Sequence, residues 1–333
     1  MLRVIMVQSV IKSNKLPMEK AMTNRYGYCC INLTLQKSRG IMTNRTMRRK
    51  TFDAKGLGYV SELSLKNTTD LKEIIQWNSE NGFEVFRITS TMFPWASEYD
   101  WSDLPDIDAI RENLRHAGQL ARDTGQRLSF HPGPFNCLAS PKEDVVLNCV
   151  KDLSIHGDQM DMLGMPRTHE AKINIHIGAA YGDREKALDT WCRNFERLPE
   201  NVRCRLTVEN DDRANLYSTK MLYESVYKRL GIPIVFDSHH AACGPQDSTY
   251  EEAFLMAYET WPKGIRPVCH HSNSRKKYED SSCRSLAAHS DYYYEPFDSC
   301  GKSVDVAMEA KAKELAVFDY LQKFEGGPER LVA

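Results

Sequence analysis

A chain of 333 residues, 41% hydrophobic and 27% charged, can bury one large core in a single domain, and no apolar run approaches the roughly 18 residues of a membrane span or the short core of a secretory signal. Its ten cysteines form no CxxC pairs and no framework spacing, which excludes a disulfide scaffold and suits reduced thiols inside a cell. The net charge of −1 conceals a basic segment, since residues 1–55 hold twelve Lys/Arg against Glu19 and Asp53; a basic arm suits a polyanion, and the acidic remainder concentrates cations.

In chain order, short runs rich in Val, Ile and Phe alternate with helix-period stretches, the pattern of βαβ units in a parallel sheet. Strands are expected at 27–35, 83–88, 127–130, 172–177, 205–209, 233–237, 267–270 and 304–309. The clearest helix has Thr69 before Leu71, Ile74 and Ile75, and ends at Asn81-Gly82 as a C-cap should. Others are expected near 106–124, 142–164, 184–198, 219–230, 250–258 and 311–323. Eight such units with right-handed crossovers close into a (β/α)8 TIM barrel over 25–325, between a basic extension at 1–24 and a tail at 326–333. Residues 272–301, polar and carrying Tyr292-Tyr293-Tyr294, read as a long loop after strand seven.

The polar residues fall at the strand tips. His131 follows strand three, His176 ends strand four and Glu209 strand five; Asp237 ends strand six with His240 just beyond; His270 ends strand seven and Glu309 strand eight. In this architecture the C-terminal tips converge on one mouth. One histidine beside an apolar run is usually a hydrogen-bonded core or surface residue, but six strands aiming ligands at one place imply a metal site. The donors outnumber the four of a single zinc, so the site is multinuclear, suited to in-line displacement at phosphorus. His239 and His271, each beside a candidate, are expected to point elsewhere and serve packing. His116, His156 and His169 receive the same structural assignment. His289, in the long loop, joins the candidates.

These motifs resemble the UV damage endonucleases, relatives of the endonuclease IV class of apurinic-site enzymes in the xylose isomerase-like barrel superfamily. The likeness spans residues 26–323. It runs through Asn44-Arg45-Thr46, Phe86-Arg87-Ile88, Phe93-Pro94-Trp95, Ser129-Phe130-His131-Pro132-Gly133, His176-Ile177-Gly178, Glu209-Asn210-Asp211, Asp237-Ser238-His239-His240, His289-Ser290-Asp291 and Glu309-Ala310-Lys311. The resemblance implies three divalent ions, manganese with zinc or magnesium as alternatives. His131, His176 and Glu209 would hold the first; Glu209, Asp237, His270 and Glu309 the second; His240 and His289 the third. Glu209, His131, His176, Asp237 and Glu309 would be catalytic, hydrolysing the phosphodiester immediately 5′ to UV photoproducts, leaving a 3′ hydroxyl and initiating excision repair.

The implied partner is damaged double-stranded DNA, cut by a monomer with no membrane. The compartment would be the cytoplasm in a prokaryote or virus, and the nucleus or mitochondrion in a eukaryote. Tyr28, Asn32, Arg45, Pro134, Phe135 and Lys311 would contact DNA or the lesion, and Arg48, Arg49 and Lys313 are further cations for phosphates. Four residues depart from the family: Pro134-Phe135 replaces its Gln-Tyr pair, Val268 a modified lysine in some members, and Thr91 a metal-contacting His or Asp. Alternatives are an apurinic-site endonuclease, a sugar isomerase or epimerase of the same superfamily, and a non-catalytic binder of distorted DNA.

Overall fold

The computed structural model describes residues 24–327. Eight strands, β1 (Arg25–Cys29), β2 (Val85–Ile88), β3 (Arg127–Phe130), β4 (Ile173–Ile175), β5 (Leu206–Glu209), β6 (Ile234–Asp237), β7 (Val268–His271) and β8 (Asp305–Met308), pair in sequence order, and β8 returns parallel to β1. The strands form a parallel sheet covered on both sides: every residue of β3, β5, β6, β7 and β8 is buried. Gly27 lets β1 approach β2, since a Cβ there would lie 1.7 Å from the Val85 carbonyl oxygen.

The helices around it are α1 (Leu33–Arg39), α2 (Arg49–Glu80), α3 (Ile107–Asp123), α4 (Glu143–Met162), α5 (Arg184–Phe195), α6 (Glu200–Arg203), α7 (Thr219–Leu222), α8 (Lys228–Leu230), α9 (Ser238–Cys243), α10 (Tyr250–Glu259), α11 (Arg275–Tyr278) and α12 (Lys313–Phe324). A π turn at Tyr223–Tyr227 joins α7 to α8, dividing the single helix expected over 219–230. Among the described residues no helix is long and apolar enough to cross a membrane.

Two expectations change. The first strand ends at Cys29, and residues 33–35 turn into α1. Cys30 takes a positive φ of 72°, Asn32 caps the helix by accepting from the Leu35 N–H at 2.8 Å, and Glu314 accepts from the Leu33 and Thr34 N–H groups. The helix expected from Thr69 is the last part of the 32-residue α2, whose backbone breaks locally at Gly56, φ 61°. The basic extension falls outside the described residues as far as residue 23, so the structure does not bear on it.

The barrel's N-terminal end is closed by a paired charge cluster. Asp305, fully buried, accepts from Arg25 Nε and Nη2 at 2.6 Å each and from Arg127 Nη1 at 3.0 Å. The same Arg127 guanidinium donates to the carbonyls of His169, Glu170 and Arg266. At the other end, the long connection from β7 to β8 folds back through an antiparallel bridge between Ser274 and His289, carrying His289 over the mouth.

Candidate metal centre

Glu209 ends β5 fully buried at the centre of the mouth. Its Oε2 lies 3.1 Å from His131 Nε2 and 3.1 Å from His270 Nδ1, and its Oε1 lies 3.2 Å from His240 Nδ1. His270 Nδ1 is in turn 3.2 Å from Glu309 Oε1. Neighbouring strands fix these positions: Asp237 stands opposite His270 in the β6–β7 register, and its Oδ1 caps α9 by accepting from the His239 and His240 N–H groups at 2.7 Å each. Thus the turn from β6 into α9 aims Asp237 and His240 into one space.

Among the described residues, three groups place their donor atoms within 4.8 Å of one another: His131, Glu209 and His270; His176, Glu209 and His240; and Asp237, His270 and Glu309. Seven of the eight ligands expected from the sequence therefore gather here. His131 and His176, which the resemblance gives to one ion with Glu209, have ring centres 5.4 Å apart and lie 3.1 and 4.0 Å from Glu209 Oε2; His131 also groups with His270, and His176 with His240. His289 joins no group; it comes from the β7–β8 connection, and its Nδ1 is 4.0 Å from Glu309 Oε2.

The donor set fits divalent cations on its own chemistry. Glu209 Oε1, Asp237 Oδ2, His176 Nδ1, His270 Nδ1 and His289 Nδ1 are buried without a hydrogen-bond partner. Imidazole nitrogens and carboxylate oxygens approach within 3.0 to 3.2 Å, while His240 Nδ1 also meets the Asn210 carbonyl at 3.0 Å. Buried acceptors left in this way are costly, whereas a shared cation satisfies several at once. Burial alone would raise the Glu209 carboxyl, but His270, His176, His131 and His240 hold it well below the ordinary carboxylate range. Burial opposes ionisation of Glu309 in the same way, and Arg87, then His270 and His289, hold it low.

A supporting layer escaped sequence reading. Asn174 donates to Glu209 Oε2 and accepts from Thr207 Oγ1; Arg87 donates to Glu309; Asn210 ties β5 to β6 through the Asp237 backbone; Asp211 lies 3.0 Å from His176 Nδ1. Lys172 Nζ lies 3.1 Å from His270 Nε2, and burial pushes its ammonium down to about 7. Period two offered one signal, since Lys172 and Asn174 precede His176 by four and two residues and share its side of β4.

The expected DNA contacts divide. Phe135 is 87% exposed beside the mouth, and Pro134 lines a cleft of about 610 Å³ with Pro132, His176, Tyr181, Arg213 and His240. Lys311 is exposed two residues past Glu309. Tyr28 and Asn32 are instead interior: the Tyr28 hydroxyl donates to Asn78 at 2.5 Å and accepts from Asn32 at 2.8 Å. Arg45 pairs with Asp70 at 2.7 Å and donates to the Met42 and Gly40 carbonyls, so it staples its own loop. Arg49 pairs with Asp53 and Glu98. His239 is buried as expected, but its Nε2 has no partner.

Residues 24–329 match the family described as UV-endonuclease UvdE. A UV-damage endonuclease of Schizosaccharomyces pombe is 32% identical over 310 residues, covering 90% of this chain and 51% of that protein, so the chain spans about half the length of that relative. A UV DNA damage endonuclease of Bacillus velezensis is 31% identical, covering 77% of this chain and 80% of its own. The crystal structure of SacUVDE superposes with a TM-score of 0.78 at 26% identity, covering 91% of this chain and 98% of that one.

Proposed function

The chain belongs to the UV-endonuclease family, and from this we propose that it is a metal-dependent DNA repair endonuclease that cuts double-stranded DNA immediately 5′ to UV photoproducts and leaves a 3′ hydroxyl. The observation that carries the metal-dependent step is the set of buried, unpartnered carboxylate and imidazole atoms around Glu209. Its two oxygens face different groups, Oε2 toward His131 and His270 and Oε1 toward His240, as a carboxylate shared between ions would. His131, His176, Glu209, Asp237, His240, His270 and Glu309 would hold the ions, with manganese the expected metal. Divalent ions in such a site lower the pKa of bound water and neutralise charge that develops on a phosphate.

The residues around them orient and screen. Asn174 fixes the rotamer of Glu209, Arg87 fixes that of Glu309, and Lys172 meets the ring nitrogen of His270 that faces away from the carboxylates. The cleft beside the site is lined by peptide groups, His176, His240, Tyr181 and Arg213 together with the carboxylates of Asp211 and Asp212, so a backbone phosphate entering it would rely on Arg213 and bound cations to offset those carboxylates. Phe135, exposed at its edge, offers a ring on which a base can stack or between bases a wedge, whereas Pro134 has no hydrogen-bonding side chain.

The test is nicking of a duplex carrying one cyclobutane dimer with Mn²⁺, beside an apurinic-site duplex, an undamaged duplex and a Glu209→Ala control. A Glu209-dependent nick directly 5′ to the dimer, with a 3′ hydroxyl end, is the expected result. Cutting at the apurinic site alone would replace the lesion assignment, and no metal-dependent cutting at all would overturn the proposal.

A further inference from the structure

The connection from β4 to α5 puts one aromatic side chain into the cleft beside the metal centre. Tyr181 follows His176 by five residues and lines the cleft of about 610 Å³ that His176 and His240 also line. Among the described residues lining it, Tyr181 is the only phenylalanine, tyrosine or tryptophan, and 48% of its surface is exposed.

The backbone at Tyr181 is not one that a tyrosine prefers. Asp183 donates its N–H to the Ala180 carbonyl at 2.9 Å, and the two residues between, Tyr181 and Gly182, have φ of 50° and 85°. Positive φ at both central positions is the pattern of a type I′ turn, which favours Asn, Asp or Gly and penalises a bulky side chain. Gly182 meets that demand and Tyr181 does not. Such a conformation persists where the surroundings fix it, and it gathers at working sites. Here Asp183 ties the turn to α5, accepting from the Lys186 N–H at 3.0 Å. On the other side the Tyr181 hydroxyl reaches Ser140 and Cys137 on the β3–α4 connection. Gly178 packs so close to Cys137 that a Cβ would lie 3.1 Å from its Sγ. That connection, which carries Phe135, is itself braced: Asn136 donates to the Gly133 carbonyl at 3.1 Å and to Asp152 on α4 at 2.8 Å, and Asn194 of α5 donates to the Leu138 carbonyl at 2.8 Å. A strained, half-exposed ring is thus clamped between two connections where asparagine would suit the turn better.

The rest of the lining indicates what the ring would hold. Asp211 and Asp212 enter the cleft from the β5–α7 connection, so an anion is opposed there except beside Arg213 or a bound cation. A neutral nucleobase meets no such opposition: its face stacks on a phenol ring, and its N–H groups can donate to carboxylate oxygens.

We infer that Tyr181 is a specificity-determining residue, a fixed platform on which a nucleobase beside the cleaved phosphate stacks when the duplex carries a lesion. This deepens the endonuclease reading and rests on it. A base at a damaged step is held less firmly by its own duplex, so a stack in the cleft selects for it. With Phe135 the site then has two aromatic groups on two connections, one at the edge of the cleft and one inside it.

The experiment is single-turnover nicking of a cyclobutane-dimer duplex with Mn²⁺ over a range of enzyme concentrations, with undamaged duplex as competitor, for the wild type, Tyr181→Asn and Tyr181→Phe. In Tyr181→Asn the half-saturating concentration should rise roughly 5- to 100-fold, the worth of one base–aromatic stack. The affinity for the undamaged competitor should hold, and the melting temperature should equal or exceed that of the wild type because asparagine relaxes the turn. Tyr181→Phe keeps the ring and should stay close to the wild type. A 2-aminopurine placed beside the dimer should be quenched by the wild type and Tyr181→Phe but not by Tyr181→Asn. Wild-type half-saturation in Tyr181→Asn, equal weakening on undamaged duplex, or a Tyr181→Phe as impaired as Tyr181→Asn would overturn the inference. A lowered melting temperature in Tyr181→Asn would do so too, by making the ring structural. If the wild type does not nick the dimer duplex, the endonuclease reading falls with it; if it does and Tyr181→Asn is unaltered, only the Tyr181 assignment falls.

Discussion

The two ends of the barrel each bury a cluster of charge, and they treat it in opposite ways. At the N-terminal end Asp305 has its oxygens filled by Arg25 and Arg127, and the remaining Arg127 protons are spent on three backbone carbonyls. At the C-terminal end carboxylates and imidazoles crowd to 3.1 Å and still leave Glu209 Oε1, Asp237 Oδ2 and His270 Nδ1 without partners. A satisfied cluster needs nothing more and serves the fold; an unsatisfied one is built around something that must arrive. Burial is equal at the two ends, so the difference lies in hydrogen-bond geometry.

The largest effects should separate these roles. Glu209→Ala removes the oxygen atoms shared by two donor groups. Metal affinity should fall by more than the roughly 10- to 100-fold typical of losing a supporting residue, and nicking with it. Manganese should raise the melting temperature of the wild type, by about 2.7 kcal/mol of stability at 100 times Kd, and leave that of Glu209→Ala unmoved. Asp305→Ala should do the reverse. Stranding buried guanidinium groups costs about 3–5 kcal/mol, read as a lower denaturation midpoint, while the folded protein keeps its metal stoichiometry. A metal-binding loss in Asp305→Ala comparable to that of Glu209→Ala would erase the distinction between the ends.

The sequence displays this contrast unevenly, for a physical reason. A parallel strand is an apolar run ended by the residue that faces the mouth, so His131, His176, Glu209, Asp237, His270 and Glu309 can be recognised one at a time from local pattern. What could not be seen depends on partners far along the chain. Arg45 resembles a free phosphate cation until Asp70 is placed beside it, and Asn32 resembles a strand residue until Glu314 arrives to satisfy the start of α1. Tyr28 is likewise withdrawn by Asn78. The first half of α2 was hidden by Gly56 and Gly58, which lower helix propensity although packing of Val60 and Leu63 overrides it.

A smaller effect is expected at the rim of the unsatisfied end. Phe135 exposes 87% of its surface, so the fold gains little from it. Phe135→Ala should weaken binding to dimer-bearing duplex by about 1–3 kcal/mol, the usual worth of one base–aromatic stack, with melting temperature and Mn²⁺ affinity unchanged. Gel-shift titration at fixed salt measures it. Equal weakening on undamaged duplex would make Phe135 a general contact instead of one that senses the lesion.

The smallest effect belongs to the satisfied end and concerns pH. His169 precedes β4 at the closed floor of the barrel, where its carbonyl accepts from Arg127. Burial, and then the charge of Arg127, pushes its imidazole down to about 4. The unfolded chain therefore takes up a proton near pH 6.5 that the folded chain refuses until about pH 4. The stabilising contribution of the neutral ring is complete above pH 6.5 and is lost as the pH falls toward 4. Denaturation midpoints measured in a metal chelator at pH 7 and pH 5 should consequently fall less in His169→Gln than in the wild type. The same fall in both would mean that acid acts on the crowded histidines of the mouth alone, and that the floor of the barrel is insensitive to protons as well as fully paired.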